Sequence, residues 1–360
     1  MTSDERAKMK AGHDVSTVAE DPDLAVASAK AHPLKTAVQT VIKVGVAVAL
    51  IYWMINKGVL NVGAVMSLAT PTMVAFCLFC VMTQIFINNY RWLLLMRAQG
   101  LDSTIGHTLP LSFIGMFFNF FMPGGVGGDV IKGYYLLQDM PQKKVAAAIS
   151  IFMDRMVGFF VMIGTAFLAV FFNWGSVSHS PELQSVAVGV LLLFTAFIAF
   201  FTLALSRRLG KRLFDAWLGE LIFVKLPGGD KLRKIYDVVH GFRQHPKLFF
   251  WACFLSVGNQ ILTVAFVAVL AAAMGITEIP LEAFFFLVPI GMVVTALPIS
   301  PAGVGVGQAA FYFLFSLYLG KQSQFGPTAM TVMQATNFAM GMIGAVFYLL
   351  RKKPVALVTN

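Results

Sequence analysis

Six apolar runs, each long enough to cross a hydrocarbon layer, govern what this sequence can fold into. They cover residues 36–56, 72–96, 144–172, 183–205, 248–274 and 328–350. A membrane-crossing helix needs about 20 such residues. The chain is 58% hydrophobic and 12% charged, whereas soluble domains carry roughly 25% charged residues. A single soluble core cannot hide that much apolar surface, so the expectation is an all-α, multi-pass integral membrane protein.

Two further apolar stretches, 104–139 and 282–320, break at their centres. The first contains Pro123-Gly124-Gly125-Val126-Gly127-Gly128-Asp129, the second Pro301-Ala302-Gly303-Val304-Gly305-Val306-Gly307-Gln308. Both centres read proline, small residue, glycine, valine, glycine. Proline removes a backbone donor and ends a helix, and glycine permits left-handed backbone and close approach. Unwound backbone at membrane depth is tolerated where protein buries it or where it lines a wet cavity.

Charge sets the orientation. Ten Lys or Arg lie in 206–247 and three follow the last run, while 173–182 and 275–281 carry none. Cations mark cytoplasmic loops, so both termini are expected in the cytoplasm. The parity closes when 104–139 dips in from the cytoplasm and 282–320 from outside. The expected fold is therefore six transmembrane helices plus two opposed re-entrant hairpins related as inverted repeats, 72–172 and 248–350. Paired glycine- and proline-interrupted segments of this kind point to a transporter's binding site. Residues 1–35 read as a cytosolic tail, as do 352–360. Within 206–247, apolar residues at helical spacing read either as an interfacial amphipathic helix or as a solvated helix packed on the bundle.

The second arm of each hairpin then starts inside the membrane with free N–H groups, a setting that attracts anions such as phosphate. The competing reading is packing, because Gly124/Gly128 and Gly303/Gly307 have the G-x-x-x-G spacing of closely packed helices. Repetition of the motif beside charged residues favours the site. A nucleotide-binding glycine loop is excluded, since no strand precedes it and no Gly-Lys-Ser/Thr follows.

Asp129 and Lys132 lie one turn apart after the first glycine cluster. Asp154 and Arg155 fall about 15 Å along a helix beginning at Lys144. Charges facing lipid cost about 2.5–3.5 kcal/mol each, so these must pair or face water. Structural pairing of Asp129 with Arg155, or Lys132 with Asp154, is one reading. In the other, Lys132 and Arg155 attract a lipid phosphate while the aspartates hold those cations or a cationic head group. Arg91, after Asn88 and Asn89, is shallower, and snorkelling to the cytoplasmic surface accounts for it equally well. The candidate substrate-binding set is Arg91, Asn119, Pro123, Gly124, Gly125, Gly127, Gly128, Asp129, Lys132, Asp154, Arg155, Pro301, Gly303, Gly305, Gly307, Gln308 and Asn337. No catalytic constellation, metal or cofactor is expected. Cys77 and Cys80 sit one turn apart in an apolar run without His or Cys neighbours, and read as small apolar filler. The formal charge of +10 sits beside apolar runs, which points to anionic lipid rather than nucleic acid.

Arg91-Trp92-Leu93-Leu94, Phe118-Asn119-x-x-x-Pro123-x-x-x-Gly127-Gly128-Asp129-x-x-Lys132, Asp154-Arg155-x-x-Gly158 and Pro298-x-x-Pro301-x-Gly303-x-Gly305 together resemble the lysylphosphatidylglycerol synthase transmembrane (flippase-like, UPF0104) family across most of 36–350. The resemblance implies a bacterial cytoplasmic-membrane protein that translocates a phosphate-bearing, in some members aminoacylated, lipid. Its partners would be that phospholipid or another lipid-linked phosphate, a second copy in a homodimer, and a separate lipid-modifying enzyme. The two-domain synthases add a cytosolic aminoacyl-transfer domain, whereas this sequence ends nine residues after Arg351, so lysyl transfer is not expected of it. A head-group transferase and a small-solute transporter are the alternatives. Lys132 stands where members often have Arg, and Gln308 where many have an acidic residue, which argues against a titrating group in the second hairpin.

Overall fold

Each broken stretch folds as two short helices flanked by long ones. The computed structural model describes residues 52, 56, 62–122, 127–172, 174–178, 180–205, 242–297 and 299–351. The described residues form helices, with no strand among them. In chain order they are α1 (Val62–Ser67), α2 (Pro71–Ala98), α3 (Ile105–Asn119), α4 (Gly127–Asp139), α5 (Lys144–Phe172), α6 (Trp174–Val177), α7 (Pro181–Leu205), α8 (Pro246–Ala273), α9 (Leu281–Thr295), α10 (Val306–Leu319) and α11 (Phe325–Leu350). The tails 1–35 and 352–360, the run 36–56 save residues 52 and 56, most of 206–247, and Pro123, Gly124, Gly125 and Pro298 lie outside the described residues.

Among the described residues, six helices are long and apolar enough to cross a membrane: Pro71–Ala98, Pro141–Phe172, Pro181–Thr202, Pro246–Ala273, Pro301–Leu319 and Phe325–Leu350. Five of them match expected crossings. The sixth, Pro301–Leu319, combines the turn at the second break with α10 and falls in an arm of the second expected hairpin, whose depth the charge pattern leaves open; its partner α9 is a shorter apolar helix.

Local chemistry sets several ends. The Thr70 hydroxyl accepts a hydrogen bond from Met73 N at the start of α2, with Pro71 in the first helical position. That combination satisfies one free donor and pre-sets φ for the helix. Gly320, at φ 63°, closes α10 in the left-handed conformation that glycine adopts without penalty.

The packing repeats. Helix α2 lies along α8, α3 packs on α4 as α9 packs on α10, and α3 rests on α11 as α9 rests on α5. The scheme is unchanged when α2–α5 and α8–α11 are exchanged. Small residues permit the close approaches. A Cβ on Gly344 would lie 2.0 Å from the Phe113 carbonyl oxygen, so α11 meets α3 backbone to backbone. The Phe311 ring covers Gly291, where a Cβ would sit 2.4 Å from it. Around these contacts Val267, Leu270, Leu287, Phe311, Phe315 and Ala329 form a fully buried apolar core. Cys77 and Cys80 are buried in this same cluster.

Candidate functional site

The first broken stretch is tied shut at its neck. Asn119, the last residue of α3, accepts a hydrogen bond on Oδ1 from Gly128 N at 3.1 Å. A Cβ on Gly128 would lie 2.0 Å from the Gly115 carbonyl oxygen, so glycine here is a packing requirement. In the second stretch Gly303 and Gly305 adopt φ 71° and 82°. Between Ser300 and Val306, Ala302 also takes positive φ (48°), strained for a residue with a Cβ. Gln308 stabilises this turn: its Oε1 accepts from Gly305 N at 2.7 Å, and its Nε2 donates to Gln334 Oε1 at 2.6 Å. Gln334 in turn donates to the Ala302 carbonyl.

These bonds correct part of the anion-site expectation. The Gly128 and Gly305 N–H groups, expected to be free, are satisfied by Asn119 and Gln308. Positive potential toward the interior comes instead from side chains.

Those side chains converge on a cavity of about 380 Å³. Its walls are Gln84, Asn88 and Arg91 of α2, Ser112 and Asn119 of α3, Asp129 and Lys132 of α4, Asp154, Arg155 and Gly158 of α5, Ser256, Asn259 and Gln260 of α8, and Asn337 of α11. Eight of the sequence candidates thus meet here, namely Arg91, Asn119, Gly128, Asp129, Lys132, Asp154, Arg155 and Asn337. Gly127, Pro301, Gly303, Gly305, Gly307 and Gln308 do not line it; they shape the breaks and the contacts behind them. Pro123, Gly124 and Gly125 are not among the described residues.

The charges pair differently from the simplest expectation. Asp129 does pair with Arg155. Asp154, however, pairs with Arg91 at 2.8 Å rather than with Lys132. Arg91 is buried rather than snorkelling outward, and it also donates to Ser256 Oγ at 3.0 Å. Gly158 makes room for it, since a Cβ there would lie 3.3 Å from Arg91 Nη1. Pairing with hydrogen bonds to neutral groups offsets the desolvation of two charges. Lys132 is 93% buried, and its Nζ stands 3.5 Å from the centroid of the Trp92 ring. No carboxylate among the described residues lies within ion-pair distance of it.

Two neighbouring spaces share walls with the cavity. One, about 200 Å³, runs past Asn119, Phe120 and Asn337 to Thr295, Ala302 and Gln334, so the end of α3 and the second break border the same void. The other is an apolar groove of about 700 Å³ between α4, α5, α7 and α9, lined by Val130, Tyr134, Leu137, Phe152, Leu193, Phe197 and Val293. It shares Asp129, Arg155, Phe159 and Ala296 with the charged cavity.

Sequence reasoning missed the α8 wall. Asn259 Oδ1 and Gln260 Nε2 are buried without a hydrogen-bond partner among the described residues, and Gln84 donates to Thr263 beside them. Adjacent amides in the middle of an apolar span were the available signal.

A second polar cluster sits at one end of the bundle. His107 Nε2 lies 2.8 Å from Asp139 Oδ2, and Arg351 Nη2 donates to both Asp139 oxygens at 2.8 and 2.6 Å. Arg351 also stacks on Tyr135, 4.4 Å from the ring centroid. This cluster ties the start of α3 to the ends of α4 and α11.

Among curated proteins and among solved structures, none matches this chain. The family described as the lysylphosphatidylglycerol synthase TM region matches residues 40–345. With that match over most of its length and six helices of spanning length, the chain is a multi-pass membrane protein belonging to the lysylphosphatidylglycerol synthase transmembrane family.

Proposed function

We propose that this protein is a lipid translocase that passes a phosphate-bearing lipid between leaflets through the cavity between its two broken stretches. The observation that carries the reading is the adjacency of unlike spaces: a cavity walled by Arg91, Lys132 and Arg155 shares the wall residues Asp129, Arg155, Phe159 and Ala296 with an apolar groove. A polar head and acyl chains need those two environments side by side. A small solute needs only the first, so the groove favours lipid over solute. The family supports a lipid-related role in a membrane.

In this reading α3–α4 and α9–α10 are hairpins inserted from opposite faces, both termini are cytoplasmic, and α2–α5 and α8–α11 are inverted repeats. The exchange-invariant packing of the two halves supports the repeat. Rocking one half against the other would expose the cavity to each leaflet in turn, as inverted-repeat transporters do. The membrane would be the bacterial cytoplasmic one.

The test is translocation of acyl-labelled phosphatidylglycerol in proteoliposomes, read by quenching of the outer-leaflet label. Lys132→Ala, Asp129→Ala and Arg155→Ala are expected to abolish transport while eluting as the wild type does. Normal transport by all three variants contradicts the proposal.

A further inference from the structure

The cavity carries a chemical description of the head group it takes. Its described lining holds three cations, Arg91, Lys132 and Arg155, against two carboxylates, Asp129 and Asp154, which leaves one positive charge in excess. Both carboxylates are engaged, with Arg155 and Arg91 respectively. The excess therefore resides at Lys132, 93% buried, held over Trp92 and without a carboxylate partner among the described residues. Asp154 and Asp129 act on this ammonium only from beyond contact distance, so its donors remain open to one anionic group.

The α8 wall is neutral and in part unsatisfied. Gln260 is 95% buried, and among the described residues its Nε2 has no acceptor and Oδ1 of the adjacent Asn259 has no donor. An unused donor beside an unused acceptor suits a group that both donates and accepts, which is a hydroxyl. An ammonium only donates, and a phosphate oxygen only accepts.

Building on the translocase reading, we infer that the preferred ligand is a monoanionic phosphodiester lipid whose head is neutral and hydroxyl-bearing, with phosphate toward Lys132 and hydroxyls on Asn259 and Gln260. A head group carrying an added amine is disfavoured. The described lining holds no third carboxylate to receive that charge, and the charge of each aspartate is already shared with an arginine. The lipid rather than its soluble head is the ligand, because the apolar groove opens beside Arg155.

The test separates binding from transport. Purified protein is presented with phosphatidylglycerol, lysyl-phosphatidylglycerol, phosphatidylethanolamine and soluble glycerophosphoglycerol, with bound lipid quantified by native mass spectrometry and acyl-labelled forms of the three lipids followed in proteoliposomes. Phosphatidylglycerol is expected to bind about tenfold better than either amine-bearing lipid, the scale of leaving one buried polar group unpaired. Lys132→Gln and, separately, Gln260→Met should each erase most of that preference. Equal binding of all three lipids, or preference for the lysylated one, overturns the head-group inference whatever the transport result. Preferential binding without transport upholds the inference and removes the translocase reading instead. Glycerophosphoglycerol competing as well as the lipid at equal concentration overturns the assignment of the ligand as a lipid.

Discussion

Arg155 and Asp129 form an ion pair on the seam between the charged cavity and the apolar groove, and both side chains line both spaces. Their side chains remain 31% and 22% exposed, against 9% and 14% for Arg91 and Asp154 deeper in. The outer pair is thus cheaper to open than the inner one, because less desolvated charge is left behind when it parts. In the proposed translocation, a lipid phosphate entering the cavity would displace Asp129 from Arg155, whereas Arg91 and Asp154 hold α2 and α5 together.

The inner pair should therefore behave as structure. Arg91→Ala or Asp154→Ala leaves a buried charge uncompensated, at a cost of about 3–5 kcal/mol. Thermal unfolding in detergent is expected to show a large drop for either variant. The double variant should fall well short of the sum of the two, because it removes both charges at once.

Close backbone packing makes an ordered prediction at the first neck. A Cβ on Gly128 would meet the Gly115 carbonyl oxygen at 2.0 Å, while a Cβ on Gly115 would lie 3.0 Å from the Gly128 oxygen. Gly128→Ala is expected to part α3 from α4, break the Asn119 bond and sharply lower the folded yield. Gly115→Ala should cost less, on the order of 1–3 kcal/mol for overpacking. Size-exclusion profiles and unfolding temperatures of the two variants check the order.

The second break stores strain at Ala302. Relief of positive φ favours Ala302→Gly by roughly 1–2 kcal/mol, and the greater freedom of the unfolded chain returns about 0.4–1 kcal/mol. The net expectation is a small gain in unfolding temperature. A loss would mean that the alanine methyl, at the edge of the space beside Arg155, packs more favourably than the backbone suffers.

Acid should loosen the end of the bundle. Burial raises the Asp139 carboxyl, but hydrogen bonds from His107 and Arg351 outweigh it and hold its pKa below the usual carboxylate value. A depressed folded-state pKa contributes stability that is complete above the unfolded value, about 3.9, and that is lost as pH falls toward the folded one. Stability against pH should carry this contribution unchanged at neutral pH and lose it below about pH 4. Asp139→Asn should be less stable at pH 7 and show a shallower fall on acidification.

Five spans and both breaks could be read from the sequence because lipid imposes length and proline and glycine impose punctuation. Much of the cavity was also legible, since charges within apolar runs have few places to go. The partner of Asp154 was not: Arg91 lies 63 residues away, and nothing local distinguishes it from Lys132. Asn259 and Gln260 escaped notice because amides on an apolar helix gain meaning only when the facing helix is known. The apolar groove depends on α7 packing on α5 while leaving space beside α4 and α9, a tertiary fact without a sequence signature.

The most direct measurement is a high-resolution structure of the protein in phosphatidylglycerol-containing nanodiscs. The account predicts phosphate density between Lys132 and Arg155, with an acyl chain leaving past Phe159 into the groove between Leu137 and Leu193. A cavity holding only water, with lipid confined to the outer faces of the helices, would contradict it.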